Sequence, residues 1–168
     1  MGRFPWKESM RYRVGVVLAL VGILVCSCGR KRTENGGKGP PPLASDSLEA
    51  RVTLSEGGYA VREPVVMTLT VRNTTDRALN LIFPTAQRYD FVVSRGKKVV
   101  WQWSHGRMFA QARGRHSIAP HDSISYEITW DQKDLDGAEL SLGTYRIQGI
   151  LKASPEVVSE ERTFGIVD

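Results

Sequence analysis

Cysteine is nearly missing from this chain. Its 168 residues hold two cysteines, Cys26 and Cys28, and residues 29–168 hold none. No disulfide can staple the body of the chain, and no Cys-based metal site can form there. Histidine is scarce too. His105, His116 and His121 are the three present, and their spacing matches no metal-ligand motif. No apolar run reaches the roughly 20 residues that a transmembrane helix needs. No stretch carries a sustained helical stripe. Ser104-His105 lies in no Gly-x-Ser-x-Gly elbow, and no acid is placed to orient the histidine. The expected catalytic, cofactor-binding and metal-binding residues are therefore none.

Basic charge is absent where the net value suggests it. The chain carries +5 overall. Residues 1–27 hold Arg3, Lys7, Arg11 and Arg13 against Glu8, a balance of +3. Residues 28–45 hold Arg30, Lys31, Arg32 and Lys38 against Glu34, again +3. Residues 46–168 are left with −1. A near-neutral body has no electrostatic footprint for nucleic acid, and none is expected as a partner.

What is present begins with an export pattern. A basic segment, 1–13, precedes a 15-residue apolar run, 14–28, of signal-peptide length. Arg30-Lys31-Arg32 directly after it argues against a buried core helix. The string Leu24-Val25-Cys26-Ser27-Cys28 resembles the lipobox of bacterial lipoproteins. The resemblance implies a signal peptide over 1–27, cleavage after Ser27, and lipidation of Cys28. Residues 28–47 then form a lipid-anchored flexible linker. Gly36, Gly37 and Gly39 followed by Pro40, Pro41 and Pro42 suit a tether that lifts a domain off a membrane. The expected location is exported and membrane-anchored, facing the periplasm or the extracellular side.

From residue 48 the period is two. Val65, Met67, Leu69 and Val71 alternate with Val66, Thr68, Thr70 and Arg72. The same alternation runs through Ala78–Phe83, Tyr89–Ser94, Val99–Ser104, Ile124–Asp131, Tyr145–Leu151 and Phe164–Ile166, with Leu48–Leu54 as a first strand. Turn signals separate them at Asn73-Thr74-Thr75-Asp76, Arg95-Gly96, Ala119-Pro120-His121-Asp122 and Asp136-Gly137. The expectation is all-β: one immunoglobulin-like antiparallel β-sandwich of about seven to nine strands over 48–168. Met108, Ala110 and Ala112 mark a further short strand, or else 104–122 is one long surface loop.

Two stretches carry a family resemblance. They are Phe83-Pro84-Thr85-Ala86-Gln87-Arg88-Tyr89-Asp90-Phe91-Val92-Val93 and Val100-Trp101-Gln102-Trp103-Ser104-His105-Gly106-Arg107-Met108-Phe109-Ala110-Gln111. With Trp130-Asp131-Gln132-Lys133-Asp134, Asp136-Gly137 and Gly143-Thr144-Tyr145, they resemble the BsuPI family over residues 48–152. The resemblance implies a β-sandwich and, by the family's name, inhibition of a subtilisin-type serine protease. An exported chain does not meet a cytoplasmic protease.

Several residues ask for a role. Trp101, Trp103 and Trp130 fall on in-facing strand positions and are expected in the core. A carbohydrate platform would instead need Trp101 or Trp103 exposed. Asp90 lies opposite Tyr89 and Phe91, where it hydrogen-bonds a neighbouring strand or pairs with Arg88. Arg107, Arg113 and Arg115 read as a solvated loop. Asp131, Asp134 and Asp136 lack the later Glu of a calcium loop, so Asp136-Gly137 reads as a tight turn. The expected function is non-enzymatic protein binding, sharpest as protease inhibition by a rigid loop at 84–88, 104–122 or 131–144. The alternative is an envelope assembly module that pairs a partner without inhibiting anything. The partner-binding residues stay unassigned at this stage.

Overall fold

The computed structural model describes residues 47–168. The expected signal peptide 1–27, Cys28 and the tether up to residue 46 lie outside the described residues. Ser47, expected to end the tether, is buried, and its carbonyl accepts the Thr74 amide at 3.1 Å.

The alternation becomes eleven strands: β1 Leu48–Leu54, β2 Gly58–Ala60, β3 Val65–Asn73, β4 Leu79–Phe83, β5 Tyr89–Arg95, β6 Lys98–Gln102, β7 Gly114–Ile118, β8 Ser123–Trp130, β9 Gly143–Leu151, β10 Val157–Val158 and β11 Arg162–Val167. No α-helix occurs among the described residues. One sheet has the order β1-β3-β8. A larger one runs β2-β11-β9-β5-β6, with β10 also on β9, and β4 pairs β7 apart from both. The pairings are antiparallel except β2 against β11, which is parallel. The strand count exceeds the expected range because β2 and β10, at three and two residues, are too short to show a period.

The two larger sheets face each other. Val65, Met67, Leu69 and Val71 of β3 are all fully buried, while Arg72 is exposed. Opposite them lie Phe91 and Val93 of β5 and Tyr145, Ile147 and Leu151 of β9. The closest approach is at Gly149. A Cβ there would sit 2.6 Å from Val52 Cγ2 and 2.8 Å from Leu69 Cδ1. Rings fill one end of the core: Trp101 on Trp130 at 5.2 Å, Trp130 on Phe164, and Phe164 on Tyr59 and Tyr145. The Tyr145 hydroxyl donates to the Ser141 carbonyl at 2.6 Å, the local geometry of a tyrosine corner.

Buried side-chain amides tie the connections. Asn73, at the end of β3, donates to the Arg77, Ile118 and Ala119 carbonyls, and its oxygen accepts from Thr75. The Asn-Thr-Thr segment is thus a turn anchored inward. Gln132, at φ 60°, donates to the Ala60 and Glu63 carbonyls and accepts from the Arg62 amide.

Two expectations need correction. The short strand is not at Met108–Ala112 but at Gly114–Ile118, where backbone pairing with β4 makes it rather than burial. The phase of β6 also differs. Val93 pairs Trp101 while Ser94 pairs Val99, so Val100 is an extra residue, a bulge. Val100 therefore turns inward and Val99 is 42% exposed. Trp101 and Trp103 are half-buried against the core, and of the three tryptophans only Trp130 lies fully within it.

Candidate functional site

The segment joining β6 to β7 begins on a buried carboxylate. Asp90 sits on the face of β5 away from the core, yet it is only 2% exposed. Its Oδ1 accepts the Phe91 and Ser104 amides at 2.9 and 3.0 Å. Its Oδ2 accepts the Ser104 hydroxyl and the Gln102 amide group, both at 2.6 Å. Asp90 thus bonds the neighbouring strand, as one of the two sequence alternatives held, and its four hydrogen bonds come from Phe91, Gln102 and Ser104 rather than from Arg88. Ser104 is committed to this carboxylate, which leaves its hydroxyl in no nucleophile–base arrangement with His105.

Two turns then bring the chain out. The Gln102 carbonyl accepts the His105 amide and the Ser104 carbonyl accepts the Arg107 amide, at 3.1 and 3.0 Å. Gly106, at φ 70°, supplies the left-handed step between them. Residues 107–113 run on outside any strand before β7 starts.

Both sides of this run are braced. Arg107 lays its guanidinium 4.3 Å from the Trp103 ring centre, and its Nε donates to the Trp103 carbonyl at 2.8 Å. Phe109 packs on the same indole at 5.9 Å. Trp103 lies 4.5 Å from Tyr89, and Tyr89 stacks on Tyr126 at 4.7 Å. A file of rings thus runs from β8 in one sheet, through β5 in the other, into the loop. Beyond Phe109, the Ala110 carbonyl accepts the Ala86 amide at 2.9 Å. Between the two braced residues, Met108 is 98% exposed.

Arg88 supports the return into β7. Its guanidinium lies 4.4 Å from the Phe83 ring centre, and a Cβ on Gly114 would overlap it. Its Nη1 is buried without a hydrogen-bond partner among the described residues. Burial pushes the Tyr126 phenol above its ordinary pKa; the Arg88 cation opposes that rise and Tyr89 adds to it.

The structure therefore joins two of the three loops expected to bind. Residues 84–88 and 104–122 meet through Ala86 and Ala110. Residues 131–144 lie toward the opposite end of β5, where Arg95 bonds Ser141. There Asp134 Oδ1 accepts the Asp136 and Ala138 amides, Gly137 has φ 83°, and the Leu135 amide bonds the Val100 carbonyl. That segment is a folded turn, and its Asp131 pairs with Lys133 at 3.2 Å. Glu139 takes a two-point bond from Arg62, at 2.8 and 3.0 Å; this hydrogen bonding lowers the Glu139 pKa and raises that of Arg62.

The histidines do not converge. His105 is in the first turn, His116 on β7, and His121 bonds Asp76 at 2.8 Å. Among the described residues no cluster of His, Cys, Asp and Glu is suited to a metal ion. Arg107, Arg113 and Arg115 are all exposed. Trp101 packs against Trp130, and Trp103 against Tyr89, Phe109 and Arg107, so neither indole stands free as a sugar platform would.

The sequence reading missed Met108 as a displayed side chain. Its alternation with Ala110 and Ala112 looked like a strand. The contrary signal was composition: residues 107–113 contain no β-branched residue and only one aromatic, a poor strand sequence directly after a glycine.

A family profile described as BsuPI, intracellular proteinase inhibitor, matches residues 52–156. The chain belongs to the BsuPI family. The match begins within β1 and ends just before β10, so it includes the whole braced loop. No curated protein matches the chain. Solved structures similar to it include a sporulation control protein from Bacillus subtilis, 12% identical, covering 73% of this chain and 50% of that one, TM-score 0.45. An alkylpurine DNA glycosylase from Pseudomonas fluorescens is 8% identical, covering 73% and 31%, TM-score 0.45. A β-glucosidase from Erythrobacter marinus is 14% identical, covering 72% and 15%, TM-score 0.44. This BsuPI-family chain spans half or less of the length of each of the three.

Proposed function

We propose that this BsuPI-family chain inhibits a subtilisin-type serine protease by offering residues 103–113 to it as a substrate mimic, with Met108 filling the enzyme's apolar specificity pocket. The observation that carries this is the 98% exposure of a large apolar side chain between two immobilised neighbours. Fully burying such a side chain is worth about 1.5–3 kcal/mol, which the free protein forgoes and a complex recovers. The bracing supports the reading in a second way. A segment already fixed in its bound shape loses little further entropy on docking.

The bracing also accounts for resistance to hydrolysis. The protease serine would attack the Met108 carbonyl and release the Phe109 amine. Phe109 is held on Trp103, and Ala110 is held by Ala86. The amine therefore stays beside the acyl carbon, where religation competes with attack by water.

The same proposal takes Cys28 as a lipid anchor after removal of 1–27, with 28–47 as tether, so that the target protease is met outside the cytoplasm. Cys28→Ala should then move the protein from the membrane fraction to the soluble one.

The function itself is tested by titrating the full chain, in detergent, into subtilisin-type and trypsin-type proteases while following residual activity. Stoichiometric loss of the subtilisin-type activity is expected, with the trypsin-type enzyme little affected. Full residual activity of both at micromolar chain, with the chain recovered intact, would leave an envelope binding module as the better account.

A further inference from the structure

We infer that Met108 is a site of reversible oxidation, and that its sulfoxide is the non-inhibitory form of the protein. The inference rests on the role proposed for Met108 above.

The described residues hold two methionines in contrasting settings. Met67 is fully buried on β3, packed between the sheets. Met108 is 98% exposed. A thioether reacts with peroxide only where the oxidant can reach its lone pair, so the two sulfurs differ in access. Among the described residues nothing shields the second one. Trp103, the aromatic surface that could cover a sulfur, is already taken by Arg107, Phe109 and Tyr89.

The chemistry needs a peroxide. The Met108 Sδ lone pair attacks one oxygen of hydrogen peroxide and the O–O bond breaks; the departing oxygen takes a proton and leaves as water, while the oxygen now on sulfur gives up its own proton. Sulfur gives up two electrons and the peroxide gains them. The product carries a strong acceptor oxygen where an apolar thioether stood. A methionine sulfoxide reductase reverses the step, taking two electrons from a dithiol and releasing the oxygen as water.

The consequence follows from the pocket. An apolar pocket offers the sulfoxide oxygen no donor, so the oxygen is buried unpaired. That should raise the inhibition constant by about ten- to a hundredfold. Conversely, a chain already in complex has its Met108 sulfur covered, and its oxidation should slow.

The test treats the full chain with hydrogen peroxide, maps each methionine by mass spectrometry, and measures the inhibition constant for a subtilisin-type protease before treatment, after it, and after enzymatic reduction. Sulfoxide at Met108 with Met67 unmodified, a weakened constant, and recovery on reduction are expected. In Met108→Leu the treatment should leave that variant's own constant unaltered. Modified Met108 with an unchanged constant overturns the inference while the inhibitor role stands. A loss of inhibition that Met108→Leu shares after peroxide also overturns it, because the sensitive group lies elsewhere. An untreated chain that does not inhibit removes both the role and the inference.

Discussion

Asp90 is the residue on which the presenting loop most depends, and truncating it gives a sharp prediction. Its carboxylate accepts four hydrogen bonds while being 2% exposed. In Asp90→Ala the Ser104 hydroxyl and the Gln102 amide group keep each other, at 2.9 Å. The Phe91 and Ser104 amides lose their acceptor. A buried donor without an acceptor costs about 1–3 kcal/mol, so the variant should lose roughly 2–5 kcal/mol of stability. With a urea slope of about 1–3 kcal/mol per molar, the unfolding midpoint should fall by about 0.7 M or more. Asp90→Asn should lose less, because Oδ1 still serves both amides; the Gln102 contact becomes donor against donor, and the Ser104 hydroxyl, which donates to Oδ2, must turn to accept instead. Adding Gln102→Glu to Asp90→Asn exchanges donor and acceptor and should restore part of the loss, which a double-mutant cycle reads directly. A midpoint for Asp90→Ala within about 0.3 M of the native protein would refute the account of how the loop is anchored.

Two further outcomes follow from the packing and the ring file. Gly149→Ala forces a methyl against Val52 and Leu69 at the closest approach of the sheets, and should cost about 1–3 kcal/mol by urea denaturation; an unchanged midpoint would mean that the sheets have room to move apart. The fold holds the Tyr126 phenol neutral, with its pKa raised above the ordinary value of about 10. That contribution is complete below the ordinary value and disappears as pH rises through it toward the raised one. Stability measured from about pH 9 to about pH 11 should therefore fall less steeply in Tyr126→Phe than in the native protein, and equal alkaline slopes would contradict the burial of that hydroxyl.

Much of the fold was legible because burial imposes a period of two. The limits of β1 coincide with the run read from sequence, β4 starts one residue inside its run, and β3 extends its run only to the buried Asn73. Where backbone pairing rather than burial makes the strand, the signal vanished. β7, Gly-Arg-His-Ser-Ile, buries only Ile118 and exists through its ladder with β4. The Val100 bulge could not be read either, since one inserted residue leaves Val-Val-Trp looking regular from either phase. Asp90 was legible as a structural carboxylate, because an acid between Tyr89 and Phe91 on a strand needs a partner. Its particular partners were not, since besides the Phe91 amide they come from Gln102 at the end of β6 and Ser104 in the turn that follows. Met108 was hidden by the same ambiguity of alternation that suggested a strand. What distinguishes a displayed side chain from a buried one is the bracing by Trp103 and Ala86, which is tertiary.

The most direct measurement is the inhibition constant of Met108→Asp beside that of the native chain, against one subtilisin-type protease. Met108 is 98% exposed, so the substitution should leave stability within about 0.5 kcal/mol, verified by the same urea midpoint. A charge driven into an apolar pocket should weaken inhibition by about a hundredfold or more. Native inhibition that persists undiminished in Met108→Asp would contradict the central claim, because the protease would then be gripping some other part of the domain.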